Sequence, residues 1–257
     1  MKIKTLIILL IIFVIGWISY LFPASLAWKM VRDQAQIVNP QKISGNIWNA
    51  KFTKTKIDKI EIDSISSSLK PLQILLGAAS TDFVIRENKS TVNGYVKKTI
   101  LSDSISINNI TGNLAIVDIL KIVRTYSDIL IPIPVDGNIK LNIDDITLLK
   151  NNKVPSSIEG NLHASNLNIA GIELKGVYVT EISTNDDGII NIKFKDSKAA
   201  DLNLGGNATI NQDGEYQANI RVSIKTTTKG PIVTMLGIVG IKKGRTKKFT
   251  FSGIIKQ

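Results

Sequence analysis

ISGNIWNAKF, residues 43–52, is the stretch on which the fold turns, because the hydrophobic period changes there from helical to alternating. Its Gly45-Asn46-Ile47 step opens a predicted strand. The same Gly-Asn-apolar step returns at Gly112-Asn113-Leu114, Gly137-Asn138-Ile139, Gly160-Asn161-Leu162 and Gly206-Asn207-Ala208, with Gly94-Tyr95-Val96 as a degenerate relative. The glycines are separated by 67, 25, 23 and 46 residues, each within two of a multiple of 23. That length suits one strand, a turn and a returning strand. Each copy is therefore expected to add a hairpin to a growing sheet, the glycine permitting a twist, bulge or tight turn where the new strand starts. Trp48, beyond the N-terminal pair Trp17 and Trp28, reads first as a core or sheet-packing anchor and second as a partner contact.

Downstream of this stretch the alternation persists. Ile60 and Ile62, Ile105 and Ile107, Ile139, Leu141 and Ile143, and Ile190, Ile192 and Phe194 each alternate with polar residues, as half-buried strands do. Turn signals separate them at Glu87 to Lys89, at Asn151 and Asn152, and at Asn185-Asp186-Asp187-Gly188. Three segments break the pattern. Residues 68–77 (SLKPLQILLG) predict a short helix or turn. Residues 115–127 carry an amphipathic helical face of Ile116, Ile119, Leu120 and Val123, ended by the prolines of IPIP at 131–134. Residues 231–239 (PIVTMLGIV) predict a third short helix or buried crossover.

Upstream, Lys2 and Lys4 precede an uncharged run from Leu6 to Phe22. At ~1.5 Å per residue this run would span about 26 Å as a helix, close to the thickness of a hydrocarbon core. Leu6 and Ile12 in its body, and Trp17 and Phe22 toward its far end, are the expected anchor residues. Trp17, Tyr20 and Trp28 suit the headgroup zone, and the leading lysines keep the N-terminus cytoplasmic. A cleaved signal peptide competes, since Ser25-Leu26-Ala27 offers a small-x-small site. The length of the run, and a helical face continuing to about Val38 before Pro40 ends it, favour an uncleaved anchor. The expected fold is mainly β: one N-terminal transmembrane helix (1–22), a juxtamembrane helix and linker (23–42), and a curved, mostly antiparallel β body of repeated hairpins with two or three short helices (43–257).

Composition narrows the function. The chain has no cysteine, which excludes disulfides, thiol catalysis, cysteine-held iron–sulfur clusters and lipoprotein acylation, and its single histidine, His163, argues against zinc sites. No nucleophile elbow, phosphate-binding glycine loop or dinucleotide fingerprint occurs. The adjacent acids Asp144-Asp145 and Asp186-Asp187 fall at strand edges or turns, where aspartate serves the turn. Neither catalytic, cofactor-binding nor metal-binding residues are expected. The net charge of +11 comes mostly from lysines scattered between apolar and amide residues, as on solvated strand faces. The densest basic segment, Lys242, Lys243, Arg245, Lys247 and Lys248, reads either as a solvated hairpin turn or as a contact patch for anionic headgroups or an acidic partner. It lacks interleaved aromatic residues, so no nucleic-acid partner is expected. No small-molecule substrate is expected either.

The order of these features resembles protein N of the type II (general) secretion pathway. That family has one membrane helix, a Leu-Pro-like step, a short helix and a G-T-x-W-x-G-x-A strand. Phe22-Pro23 and Gly45, Asn46, Trp48, Ala50 and Phe52 stand at the corresponding positions here. The Pro-rich step into Gly137 is similar too, as are Leu236-Gly237, Gly244-Arg245 and the closing Phe251 to Ile254 with Gly253. Asn46, Ala50 and Phe52 replace the family's Thr, Gly and Ala, and Ser66 to Ser68 lack its tryptophan. The resemblance implies a non-enzymatic accessory component of the bacterial inner membrane, with its bulk in the periplasm. Its implied partners are other secretion components, inner-membrane or secretin subunits, together with membrane lipid. Repeated hairpins behind one anchor also resemble AsmA-like and intermembrane lipid-transfer proteins, whose sheet offers an apolar groove to acyl chains. An open groove lined by Ile139, Leu141, Ile190 and Ile192 would favour lipid handling, and a groove filled by the helix near Ile116 would favour a scaffold.

Overall fold

The computed structural model describes residues 16–17, 20–33, 35–126, 134–150, 152, 154–225, 228, 230–238, 240–242 and 244–255. The anchor residues Leu6 and Ile12, residues 131–133 of the IPIP step, Asn151 and Lys243 lie outside them. No helix among the described residues is long and apolar enough to cross a membrane.

The strands join one fourteen-stranded antiparallel sheet in which neighbours in space are neighbours in sequence. They are β1 (Val38–Gly45), β2 (Asn49–Ile57), β3 (Ile60–Leu69), β4 (Ala78–Glu87), β5 (Ser90–Thr99), β6 (Ser104–Ala115) and β7 (Val135–Leu149). There follow β8 (Ser157–Ile169), β9 (Ile172–Leu174), β10 (Tyr178–Thr184), β11 (Ile190–Asp196), β12 (Leu202–Ile210), β13 (Glu215–Ile224) and β14 (Lys247–Ile254). Only the short β9 leaves the path, folding back on β8. Four helices are inserted: α1 (Ala24–Val31) before β1, α2 (Pro71–Leu75) between β3 and β4, α3 (Ile116–Tyr126) between β6 and β7, and α4 (Gly230–Ile238) between β13 and β14. The predicted alternation and all three body helices are thus in place, as are the turns at Glu87 to Lys89 and at Asn185 to Gly188.

Residues paired across strands share a face, so the registers trace rows of side chains. One row crosses every strand of the path: Ile43, Phe52, Ile65, Ile85, Val92 and Gly112, continuing through Leu141, Leu162, Thr180, Phe194, Gly206, Ile220 and Phe249. Every member is only half buried. The chain exposes 16732 Å², against roughly 11,000 Å² for a globular monomer of its mass. A long open sheet, rather than one closed core, accounts for the excess. The tightest packing is local: Leu174, Ile224, Ile232, Leu236 and Ile241 form a buried cluster where α4 meets the strand ends, with Phe249 of the apolar row against it.

Three details differ from the sequence reading. The juxtamembrane helix ends at Val31, and β1 begins at Val38 with Pro40 inside it. A proline that cannot donate to a ladder is tolerated there because β1 is an edge strand. Residues 43–52 are not a strand but the β1–β2 hairpin, with Gly45 at φ +87° in the turn. The recurrent glycines do not start strands, and Gly112, Gly137 and Gly160 fall on three consecutive strands, so the 23-residue spacing does not count hairpins. Gly206 gives the physical reason for such a glycine in mid-strand. A Cβ there would lie 2.2 Å from the Asn219 carbonyl oxygen of β13, so the bare backbone permits the close approach by which a long sheet coils. Bulges interrupt the ladder between Asn93 and Tyr95, Asp136 and Asn138, and Ile143 and Asp145. Asn109 and Asn166 supply the left-handed residues opposite the first two, a conformation asparagine tolerates.

Candidate functional site

The hairpin at residues 45–49 grips the segment that follows the apolar run. Asn46 forms a bridge with Pro23. Its side-chain amide donates to the Tyr20 carbonyl at 3.0 Å, and its Oδ1 accepts the N–H groups of Trp48 and Asn49. The Ile47 N–H donates to the Phe22 carbonyl at 3.0 Å. Pro23 then starts α1, its carbonyl accepting from Leu26 and Ala27. Trp28 of α1 meets Phe52 of β2 edge-to-face with ring centroids 5.6 Å apart, a geometry favoured by aromatic quadrupoles. Trp28 therefore packs on the sheet. Trp48 is half buried in the turn, and its carbonyl accepts the Leu69 N–H. Beside half-buried Trp48, the aromatic packing at this end is the half-buried Trp28–Phe52 pair.

This clamp stands at one end of a contiguous rim. Leu69 leads into Lys70 and α2, where Pro71 sits in the first turn and its missing N–H costs nothing. Beyond α2, the Gly77 carbonyl accepts from Ile100 of the β5–β6 loop, and Ile100 lies beside Leu149 at the end of β7.

At the opposite end of the strands, α3 packs on β6 and β7 and faces β3 to β5 across a partly open cavity of ≈ 300 Å³ walled by Ile62, Ile85, Val92, Leu114, Ile119 and Ile122. The β4–β5 turn latches this helix. Asp118, in the first turn of α3 where the helix dipole favours a carboxylate, accepts from Ser90 Oγ at 2.6 Å and from Asn88 Nδ2 at 3.1 Å. Ser90 Oγ accepts in turn from the Ala115 N–H. Lys121 donates to Glu87 at 2.8 Å, and that bond raises the lysine's pKa. Nothing in the sequence marked Asp118 as more than the polar side of an amphipathic helix, because its partners lie 28 and 30 residues away.

None of Ile139, Leu141, Ile190 and Ile192 lines this cavity. Ile190 is buried and the other three are half buried. Gly137 sits under α3, its Cα facing Ile116 and Leu167. Gly237 lies in α4, Gly244 in the turn after it at φ +74°, and Gly253 in β14 against the Tyr216 ring. Lys242, Arg245 and Lys248 are exposed, and Lys247 lies over the Phe249 ring at 5.1 Å. Lys248 pairs with Arg221 in the ladder. This basic segment is at the entry to β14, at the edge of the sheet opposite β1 and at the end of the strands away from the clamp.

No reaction centre emerges. Among the described residues no three His, Asp or Glu side chains gather to hold a metal ion. Asp145 is bonded to Asn108, Asp186 and Asp187 are exposed in their turn, and His163 Nε2 lies 2.9 Å from Asn161 Oδ1. What the geometry offers is surface: an edge strand, a rim of loops, and an apolar face partly roofed by helices. Neither curated proteins nor solved structures give a match. The model of a protein family does match, over residues 37–251, and it is described as type II secretion system (T2SS), protein N. With a match from the start of β1 to the middle of β14, the chain belongs to the type II secretion system protein N family.

Proposed function

We propose that this chain is a non-enzymatic accessory component of the type II secretion machinery, anchored in the bacterial inner membrane by residues 6–22 and holding its sheet in the periplasm. The clamp is the observation that carries the reading. Backbone and side-chain bonds from Asn46 and Ile47 to residues 20–23 fix the exit of the apolar run against the sheet, so an anchor there would hold the sheet at a set distance from the bilayer. Partner contact falls to the opposite edge. β1 is blunted by Pro40 and by α1 alongside it, both devices that discourage pairing. β14 has no proline, pairs only with β13 among the described residues, and exposes Phe251 and Ile254. It is the edge suited to accept a strand from another secretion subunit.

The apolar row across the sheet supports a second reading, acyl-chain handling. One experiment separates the two: crosslinking the full-length chain in native membranes and purifying it. Recovery of inner-membrane or secretin subunits is expected. Stoichiometric phospholipid without those subunits would replace the scaffold reading with the lipid-handling one.

A further inference from the structure

The rim next to the clamp exposes large apolar side chains that serve no packing in the fold. Leu72, Leu75 and Leu76 around α2 are 73%, 83% and 78% exposed, and Ile100 and Leu101 in the β5–β6 loop are 69% and 97% exposed. These loops touch each other through the Ile100 N–H and the Gly77 carbonyl, and Leu149 extends the patch along the β7 end. Soluble surfaces rarely carry such contiguous apolar tips without a partner. Trp17, Tyr20 and Leu21, at the end of the apolar run, are likewise exposed, and the hairpin that holds Tyr20 and Phe22 accepts, at the Trp48 carbonyl, the N–H of Leu69, two residues before α2. Lys150 and Asp103 are exposed among the loops, while Lys98 donates to the Ser102 carbonyl and Lys70, paired with Asp82, lies over the Tyr95 ring. Turns at the same end of the later strands are built differently: Asn185 to Asp187 between β10 and β11, and Asp213 and Glu215 between β12 and β13, are exposed and acidic or amide.

We propose that α2 and the β5–β6 loop seat in the headgroup and upper acyl region of the bilayer that holds residues 6–22, giving the protein a second, peripheral membrane contact. The proposal rests on the anchor reading for the identity of that bilayer. The occupant follows from placement, because the hairpin that holds the exit of the apolar run is also bonded to the strand end that leads into α2. Leucine tips flanked by an exposed lysine match the chemistry of an interfacial contact: apolar groups enter the acyl boundary, and Lys150 can reach back to phosphate oxygens. The contact would fix the tilt of the sheet, which a single helix leaves free to swivel.

Because the chain has no cysteine, single-cysteine variants report one site each. Leu75→Cys, Leu101→Cys, Asp187→Cys and Ile12→Cys, each in the full-length chain, would carry an environment-sensitive fluorophore. They would be reconstituted in phosphatidylethanolamine–phosphatidylglycerol vesicles with nitroxide lipids. The expected result is a shift to shorter wavelength and loss of most emission at positions 75 and 101 with shallow nitroxides, loss at position 12 with deep ones, and neither change at position 187. Quenching at 12 without quenching at 75 and 101 overturns the proposal and leaves the anchor standing. Quenching at 75 and 101 but not at 12 upholds the peripheral contact and removes the anchor. A wavelength shift at 75 and 101 without nitroxide quenching overturns the proposal in favour of a protein partner or a second copy. Equal quenching at 187 overturns it as unspecific adsorption.

Discussion

The two ends of the strands treat the same kind of residue in opposite ways. Where α4 meets the sheet, aliphatic side chains disappear: Ile224, Ile232 and Leu236 are 3–5% exposed, in one cluster with Leu174. At the end carrying the clamp, leucines of α2 and the β5–β6 loop stand out in solvent. Hydrophobicity alone cannot sort them, because LQILLG at 72–77 and IVTMLG at 232–237 read alike. The difference lies in what each helix lands on. α4 is delivered to the face of the sheet beside Leu202 and Val222, whereas α2 is a single turn between adjacent strands, too short to reach back over a face. Burial is therefore densest under α4, and exposed apolar surface is densest at α2 and the β5–β6 loop.

The sharpest way to break this contrast is to empty the buried end. Leu236→Ala should cost about 2–5 kcal/mol, the range for deleting a buried leucine whose surroundings relax only in part. Urea midpoints of wild type and variant would measure it. A loss within experimental error would mean that the α4 cluster is not a core.

The latch on α3 comes next. Asp118→Ala leaves the Ser90 hydroxyl and the Asn88 amide without their acceptor, a cost of about 1–3 kcal/mol. The effect should appear chiefly as faster amide exchange in residues 116–126, with the strands of β10 to β13 unchanged. Uniform acceleration through the sheet would show that the helix is integral to the fold rather than a hinged roof over the cavity.

Tyr178, also at the buried end, supplies a pH-dependent probe. Its hydroxyl accepts from the Leu202 N–H and donates to the Lys175 carbonyl, both at 3.4 Å, and burial pushes its pKa from 10.0 up to about 12. Folding thus favours the neutral phenol. That contribution is present in full below the unfolded pKa and lost as pH rises from about 10 to about 12. Unfolding midpoints across that window should fall more steeply in wild type than in Tyr178→Phe, and parallel slopes would sink the assignment.

Which features were legible in the sequence follows from how local their causes are. Alternation at Ile139, Leu141 and Ile143 is a property of one strand, and the face of α3 is a property of one helix, so both could be read. Pro40 in β1 could not, because its tolerance depends on β1 lying at the edge. The Asn46 clamp, the Trp28–Phe52 pair and the Asp118 latch join residues 23 to 30 positions apart, and no period or motif announces such pairs. The glycine recurrence was visible but misassigned, since a backbone approach between strands leaves the same signature as a strand start. For the site, the basic segment at 242–248 stands out by density, while the leucines of residues 68–77 read only as a short helix or turn and Leu101 carries no signal of its own.

The smallest expected effect is the most discriminating. Leu101→Ser removes a side chain 97% exposed in a turn, so stability should stay within about 0.5 kcal/mol of wild type. Leu75→Ser should behave alike, and because neither residue has a fold contact to share, the double variant should be additive. Urea midpoints of the three variants, taken in detergent without bilayer, provide the measurement. A loss approaching that of Leu236→Ala would show that the rim is a core region whose cover is missing, and the division between a stabilising end and a contacting end would collapse. Neutrality in detergent, with stabilisation by vesicles in wild type but not in the double variant, is the pattern a membrane-seated rim requires, because a ligand that binds only the folded state stabilises it in proportion to its affinity.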